Sequence, residues 1–150
     1  MNALIIYDSR YGNTKQIAEA VGGVLAEKGA ARVSSVGDIG TFNLGGIDVL
    51  VLGAPTEGHG VSPAMKALVK SMPKGNLQGV RVAAFDTRFN HNLLLTGSAA
   101  GSLAKDLQKL GGALITPPES FFVTSDMKSG ITSLLGGEIE RAAIWARAIA

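Results

Sequence analysis

The chain has 150 residues and a mass of 15.4 kDa, with 46% hydrophobic and 17% charged residues; this supports a buried core and excludes a disordered polymer despite 20 glycines. It contains no cysteine, which excludes disulfides, thiolate metal sites and cysteine nucleophiles. The formal charge of +2 comes from 14 basic residues scattered among 12 acidic ones, with no basic run interleaved with aromatics, so no nucleic-acid partner is expected.

The opening segment reaches Asp8 without a basic leader or a long apolar core, so Ala3 to Tyr7 reads as a buried strand and not as a signal peptide. From Asn13 the period changes. Ile17, Ala18, Val21, Val24 and Leu25 fall on one helical face, and Lys15, Glu19 and Lys28 face water. A short second strand is expected over Ala31 to Val36, with Asp38 to Gly46 as an irregular connection. Ile47 to Leu52 reads as another buried strand, followed by a loop from Gly53 to Gly60. Ser62 is placed to cap a helix carrying Met65, Leu68, Val69 and Met72, with Pro63 at its first position and Pro73 and Gly75 ending it.

Val80 to Phe85 is the next strand, ending at Asp86, Thr87 and Arg88. After a loop rich in Asn and Gly, Leu103, Leu107 and Leu110 mark a third helix stopped by Gly111 and Gly112. Ala113 to Thr116 begins the last strand region, Pro117 and Pro118 interrupt it, and Phe121 to Val123 resumes it. The last helix is expected over Gly137 to Ala148, with Ile139, Ala142, Ala146 and Ile149 facing inward and Trp145 anchoring it. Phe85 reads as a core residue at a strand end.

Apolar strands alternating with amphipathic helices predict an α/β, doubly wound sandwich whose parallel sheet is covered on both faces. Residues 1–150 show no composition break and read as one domain. No apolar run is long enough to cross a bilayer, so a soluble cytoplasmic protein with no membrane partner is expected.

The segment Ser9 to Thr14, SRYGNT, lies between a buried strand and a helix. A phosphate there would meet backbone amides and the positive helix end, with Ser9, Asn13 and Thr14 as short polar side chains and Gly12 permitting close approach. The same pattern also describes an ordinary strand-to-helix turn in which Asn13 or Thr14 is the N-cap. It is neither a Walker loop nor a dinucleotide fingerprint. In a doubly wound sheet the loops after the first, third and fourth strands converge where the strand order reverses. Those loops are Ser9 to Thr14, Pro55 to Gly60 and Asp86 to Asn90.

At these residues the chain resembles the flavodoxin family. IIYDSRYGNTKQIAEAV is similar to that family's phosphate-binding fingerprint, and GAPTEGHGVSPAMKAL to its second flavin loop. AAFDTR and the distal GGEIERAAIWA resemble small bacterial flavodoxin-domain proteins. The resemblance implies a flavodoxin-like five-stranded parallel sheet in the order 2-1-3-4-5, and FMN as cofactor.

It further implies that Ser9, Arg10, Tyr11, Gly12, Asn13 and Thr14 enclose the FMN phosphate. Pro55, Thr56, Glu57, Gly58, His59 and Gly60 would flank one side of the isoalloxazine, and Asp86, Thr87, Arg88 and Phe89 the other. A backbone carbonyl near Gly58, or alternatively Gly60, would meet the flavin N5–H on reduction. The implied function is electron transfer between a redox protein donor and acceptor through an exposed flavin edge, compatible with a monomer. Two alternatives are an NAD(P)H-dependent flavin or quinone reductase and a regulatory or binding domain without redox turnover.

The candidate loops carry basic Arg10 and Arg88 beside acidic Asp8, Glu57 and Asp86, which predicts a reduction potential less extreme than that of strongly acidic flavodoxins. Arg88 alternatively pairs with Glu57 or Asp86 as surface structure. His59 and His91 lack the carboxylate pattern of a metal site, and no G-x-S-x-G elbow supports Ser9 as a nucleophile.

Overall fold

Ala3 to Ile6 are all buried within strand β1 (Asn2–Tyr7), and a run without polar alternation belongs in the middle of a sheet covered on both faces. The computed structural model describes residues 1–41, 43–93 and 97–150. After β1 come helix α1 (Asn13–Ala26), β2 (Ala30–Ser35), the short α2 (Val36–Ile39), β3 (Val49–Glu57), β4 (Gly60–Val61) and α3 (Pro63–Ser71). Then follow β5 (Arg81–Phe89), α4 (Ala99–Lys109), β6 (Ala113–Leu114), β7 (Glu119–Ser125), β8 (Thr132–Leu134) and α5 (Glu138–Ile149).

The main path of the sheet runs β2-β1-β3-β5-β7-β8, with β4 added to β3 and β6 to β5. From β2 to β7 every pairing along this path is parallel, whereas β8 runs antiparallel to β7 and β4 antiparallel to β3. The expected five-stranded, all-parallel sheet is therefore corrected to a mixed sheet of eight strands among the described residues. Its fifth position is shared: β6 pairs with Arg81 and Val82 of β5, and β7 with Phe85 to Phe89. Pro117 and Pro118, which have no amide to donate, fall in the gap between β6 and β7. Strands β4 and β8 have two and three residues, too few for a period to be legible in the sequence.

Alternation along the parallel strands divides the apolar side chains between two cores. Leu4 and Ile6, Leu50 and Leu52, and Val82 and Ala84 face α3 and α4, where Met65, Leu68, Leu103 and Leu107 meet them. Ala3 and Ile5, Val49 and Val51, and Ala83 and Phe85 face α1 and α5, against Ile17, Val21, Leu25, Ala142 and Ile149. On that second face Phe85, Phe121 and Trp145 form an edge-to-face cluster with centroids 5.9 to 6.0 Å apart. Phe85 and Trp145 thus occupy the core and anchoring positions expected of them. Gly53 makes room for the cluster, because a Cβ there would lie 2.0 Å from the Phe85 ring.

Other local expectations are revised. Strand β3 continues through Glu57, and β5 through Phe89, into segments expected to be loops. Val36, expected to end the second strand, instead begins α2, whose N-cap is Ser35 and which runs into the predicted irregular connection from Asp38; Phe42 of that connection lies outside the described residues. Pro63 opens α3 as expected, but the Ser62 side chain makes no capping bond and its hydroxyl is buried without a partner. Ile139 is 37% exposed, since its side of α5 points away from the sheet. Among the described residues no helix is long and apolar enough to cross a membrane.

Helix α5 is fastened to β7 by a charged network. Glu138 is buried and accepts from the Phe122 amide at 2.7 Å and from Arg141 at 2.7 and 3.1 Å. Arg141 also donates to the Ser120 carbonyl, pairs with Glu119 at 3.3 Å and lies over the Phe121 ring at 4.7 Å. Burial opposes ionisation of Glu138, but the bonds from Arg141 and the Phe122 amide outweigh it, so its carboxyl sits below the usual 4.5. A folded-state value below the unfolded one stabilises the protein above about 4.5 and loses that contribution as the pH falls through the lowered value.

Arg141→Met is expected to cost about 2 kcal/mol at neutral pH, because it leaves charged hydrogen bonds unmade, and the deficit should shrink in acid. Urea unfolding of both proteins at pH 7 and at successively lower pH checks this; an unchanged difference would assign the loss to packing alone. Gly53→Ala is expected to destabilise by about 1–3 kcal/mol through overpacking against Phe85, read as a lower urea midpoint with an unaltered slope.

Candidate functional site

The parallel strands β1, β3 and β5 end on one edge of the sheet, and a cleft of about 210 Å³ opens there. It is lined by Ser9, Arg10, Tyr11, Asn13 and Thr14 after β1, by Pro55, Thr56 and Glu57 at the end of β3, and by Thr87, Arg88 and Phe89 at the end of β5. Val123 and Thr132 complete the wall from β7 and β8. The expected residues Gly12, Gly58, His59, Gly60 and Asp86 are not part of the lining. All three segments expected to converge do so.

Gly12 precedes α1 with φ 90°, a left-handed conformation that favours glycine, and is itself the N-cap in place of Asn13 or Thr14. This turn brings the amides of Gly12 and Lys15 onto one acceptor, the Ser9 hydroxyl, at 3.1 and 3.3 Å. The amides of Asn13 and Thr14 belong to the first helical turn, where no preceding turn supplies carbonyls. The Asn13 side chain turns aside and donates to the Thr132 carbonyl at 3.1 Å and its hydroxyl at 2.8 Å. Thr14 and Thr87, both buried, share a hydroxyl hydrogen bond of 2.8 Å that joins the start of α1 to the end of β5.

Strand β3 turns back through Gly58 and His59, because Glu57 pairs directly with Gly60. Both turn residues have positive φ, 53° and 67°, as a type I′ hairpin demands. His59 is the only non-glycine with positive φ among the described residues. Gly97 packs against this turn so closely that a Cβ would lie 2.1 Å from the His59 carbonyl oxygen.

Tyr11 and Phe89 are the large apolar side chains exposed on the lining, at 44% and 38%. The Arg10 guanidinium lies 5.3 Å from the Tyr11 ring centroid, and Phe89 stacks with His91 at 5.9 Å. Arg88 is held from several sides. It donates to the Ser120 hydroxyl at 3.0 Å and to the carbonyls of Phe89 and His91 at 3.2 and 3.1 Å, and lies 3.9 Å from the Asp86 carboxylate. The expected Asp86 partner is thus close, but Arg88 is principally a brace for the segment after β5. Val123 and Thr132 were not legible as site residues. Thr132 reaches Asn13 across 119 positions, and no local pattern signals such a contact.

A family model described as a flavodoxin domain matches residues 4–128. The chain belongs to the flavodoxin-domain family. Comparison with curated proteins gives no match. Among solved structures, it is similar to oxidised flavodoxin 1 from Bacillus cereus, with TM-score 0.79, 21% identity and coverage of 99% of this chain and 96% of that one. A flavodoxin from the domain Archaea aligns with TM-score 0.73 at 23% identity over 100% and 96% of the two chains. The flavodoxin, WrbA-like protein from Agrobacterium tumefaciens aligns with TM-score 0.73 at 21% identity over 97% and 92%. At these identities the structural likenesses establish the fold. Membership of this flavodoxin-domain family supports a general role in FMN binding and electron transfer.

Gly12→Ala has open space for its methyl group but must hold it at φ 90°, so the expected cost is conformational, about 1–2 kcal/mol. Urea unfolding checks it, and a loss well outside that range would point to a rearranged turn.

Proposed function

We propose that this flavodoxin-domain protein binds FMN across the cleft and carries electrons between a redox protein donor and acceptor through an exposed flavin edge. The observation that carries this reading is that Asn13 and Thr14, whose amides open α1 with no side chain capping them, line the cleft at the positive end of that helix, while Ser9 gathers the Gly12 and Lys15 amides beside them. A loop already folded around one acceptor is suited to a phosphate oxygen. When bound, FMN supplies reversible acceptance and release of electrons.

The chain's own residues hold, orient and tune. Ser9, Gly12, Asn13 and Thr14 would offer hydroxyl and backbone donors to the phosphate. Tyr11 and Phe89, the exposed rings on the lining, would bracket the isoalloxazine, and Pro55 to Glu57 would form its other border. The Gly58–His59 turn would present a backbone carbonyl near N5, and glycine at Gly58 keeps rotation of that peptide sterically open. Arg88 would favour added negative charge, and its bonds to Ser120 and to two carbonyls keep it beside the cleft.

Calorimetric titration with FMN tests the reading, with saturable uptake of one FMN per chain expected. Ser9→Asp, which sets a carboxylate where the phosphate would bind, should weaken uptake at least about tenfold through like-charge repulsion. No uptake by the unmodified protein would refute the cofactor assignment. Potentiometry of FMN-loaded Arg88→Ala should give a lower reduction potential, by an amount on the order of tens of millivolts, and an unchanged potential would remove Arg88 from the tuning.

A further inference from the structure

Asp86 is fully buried at the end of β5, on the face opposite Thr87 and outside the cleft lining. One of its oxygens, Oδ2, receives the Thr56 hydroxyl at 3.1 Å, the Ser98 hydroxyl at 2.9 Å and the Ala100 amide at 3.0 Å. Both hydroxyls are acceptors as well as donors. Thr56 Oγ1 accepts from the Ala99 amide at 3.0 Å, and Ser98 Oγ accepts from the Gly101 amide at 3.2 Å. Each hydroxyl thus accepts from the first turn of α4 with one lone pair and keeps its single proton for the Asp86 carboxylate oxygen.

We infer that Asp86 is a positioning residue: it sets the pose of the turn that begins at Glu57, a residue of the cleft lining, without itself reaching the ligand. Three donors meet at one oxygen, two of them hydroxyls and one a first-turn amide of α4, and a carboxylate oxygen is suited to accept them all. Through Thr56, the same carboxylate fastens the end of β3 one residue before Glu57. The lead-in to α4 touches the turn a second time, where Gly97 packs on the His59 backbone. The turn is thus held by α4 at two points, and Asp86 closes the connection.

An amide cannot take this place without loss. In Asp86→Asn the amide group would either present its own hydrogens to the three donors or occupy the site of Oδ1, which is buried and has no hydrogen-bond partner. The first arrangement leaves three buried donors unpaired and frees Thr56 to move; the second keeps them paired but buries an amide NH2 without an acceptor, 3.9 Å from the Arg88 guanidinium.

This inference rests on the FMN reading, and the experiment separates the two. FMN affinity by calorimetry, the potential of the bound FMN by potentiometry, and stability in urea are measured for the unmodified protein, Asp86→Asn and Ser98→Ala. Ser98 is also outside the lining, so its effect cannot come from direct contact. Asp86→Asn is expected to weaken FMN binding about tenfold, as misplacement of a positioned group does, and to shift the potential, in part by removing the charge that lies 3.9 Å from Arg88; a shift in Ser98→Ala, which removes no charge, is the one that reports position. Ser98→Ala should move both readouts in the same direction by less. Reduced stability with unchanged affinity and potential would overturn the positioning role, leaving Asp86 a helix cap. Should Asp86→Asn fail to fold, unchanged FMN readouts in Ser98→Ala would overturn it equally. If the unmodified protein takes up no FMN, the cofactor reading fails first and this inference falls with it.

Discussion

The cleft depends on three consecutive side chains at the end of β5, each tied to a different neighbour. Asp86 reaches the end of β3 and the start of α4, Thr87 reaches Thr14 at the start of α1, and Arg88 reaches Ser120 on β7. A strand presents successive side chains to opposite faces, so adjacent residues can serve elements that never meet. The loops around the cleft are therefore not independent excursions from the sheet. They share one strand end as a common support, and the positions of the first, second and third loops are mutually constrained.

The electrostatics of the site follow from the same arrangement. Arg88 is nearly enclosed, with its guanidinium directed to Ser120 and two carbonyls, and it lies 5.1 Å from the Phe122 ring centroid. Arg141 lies 5.4 Å from the same ring centroid, so one aromatic serves a cation of the cleft and a cation of the α5 network. Strand β7 is thus the common boundary between the cleft and the helix that closes the opposite core. Glu138 and Glu119 balance Arg141 locally, whereas at the cleft the basic Arg10 and Arg88 face Glu57 as the one acidic residue of the lining. Fixed cations near a group that gains electrons favour its reduced form.

Much of the architecture was legible because it is written in local periods. The unbroken apolar runs at Ala3 to Ile6 and Val49 to Leu52, and the helical face from Ile17 to Leu25, specify buried parallel strands and an amphipathic helix wherever they occur. The prolines at 117 and 118 likewise marked the break between β6 and β7. What the local periods did not carry were features shorter than a period and the rotation of a helix about its own axis. Two-residue β4 and three-residue β8 exist because hairpin turns bring them back to a partner, and Ile139 is exposed because α5 is rotated to place Ala142 and Trp145 on the sheet.

The sequence by itself determined the alternation of buried strands and helices and the polar character of the three segments that follow the first, third and fourth predicted strands. Those properties reside in neighbouring residues, so chemistry and spacing suffice. Only the tertiary structure decided that Asn13 binds Thr132, that Thr132 and Val123 wall the cleft, and that Asp86 lies behind it fastening β3 to α4. Each is a hydrogen bond or contact between distant parts of the chain, and its geometry exists only once the sheet has fixed which strand ends stand side by side.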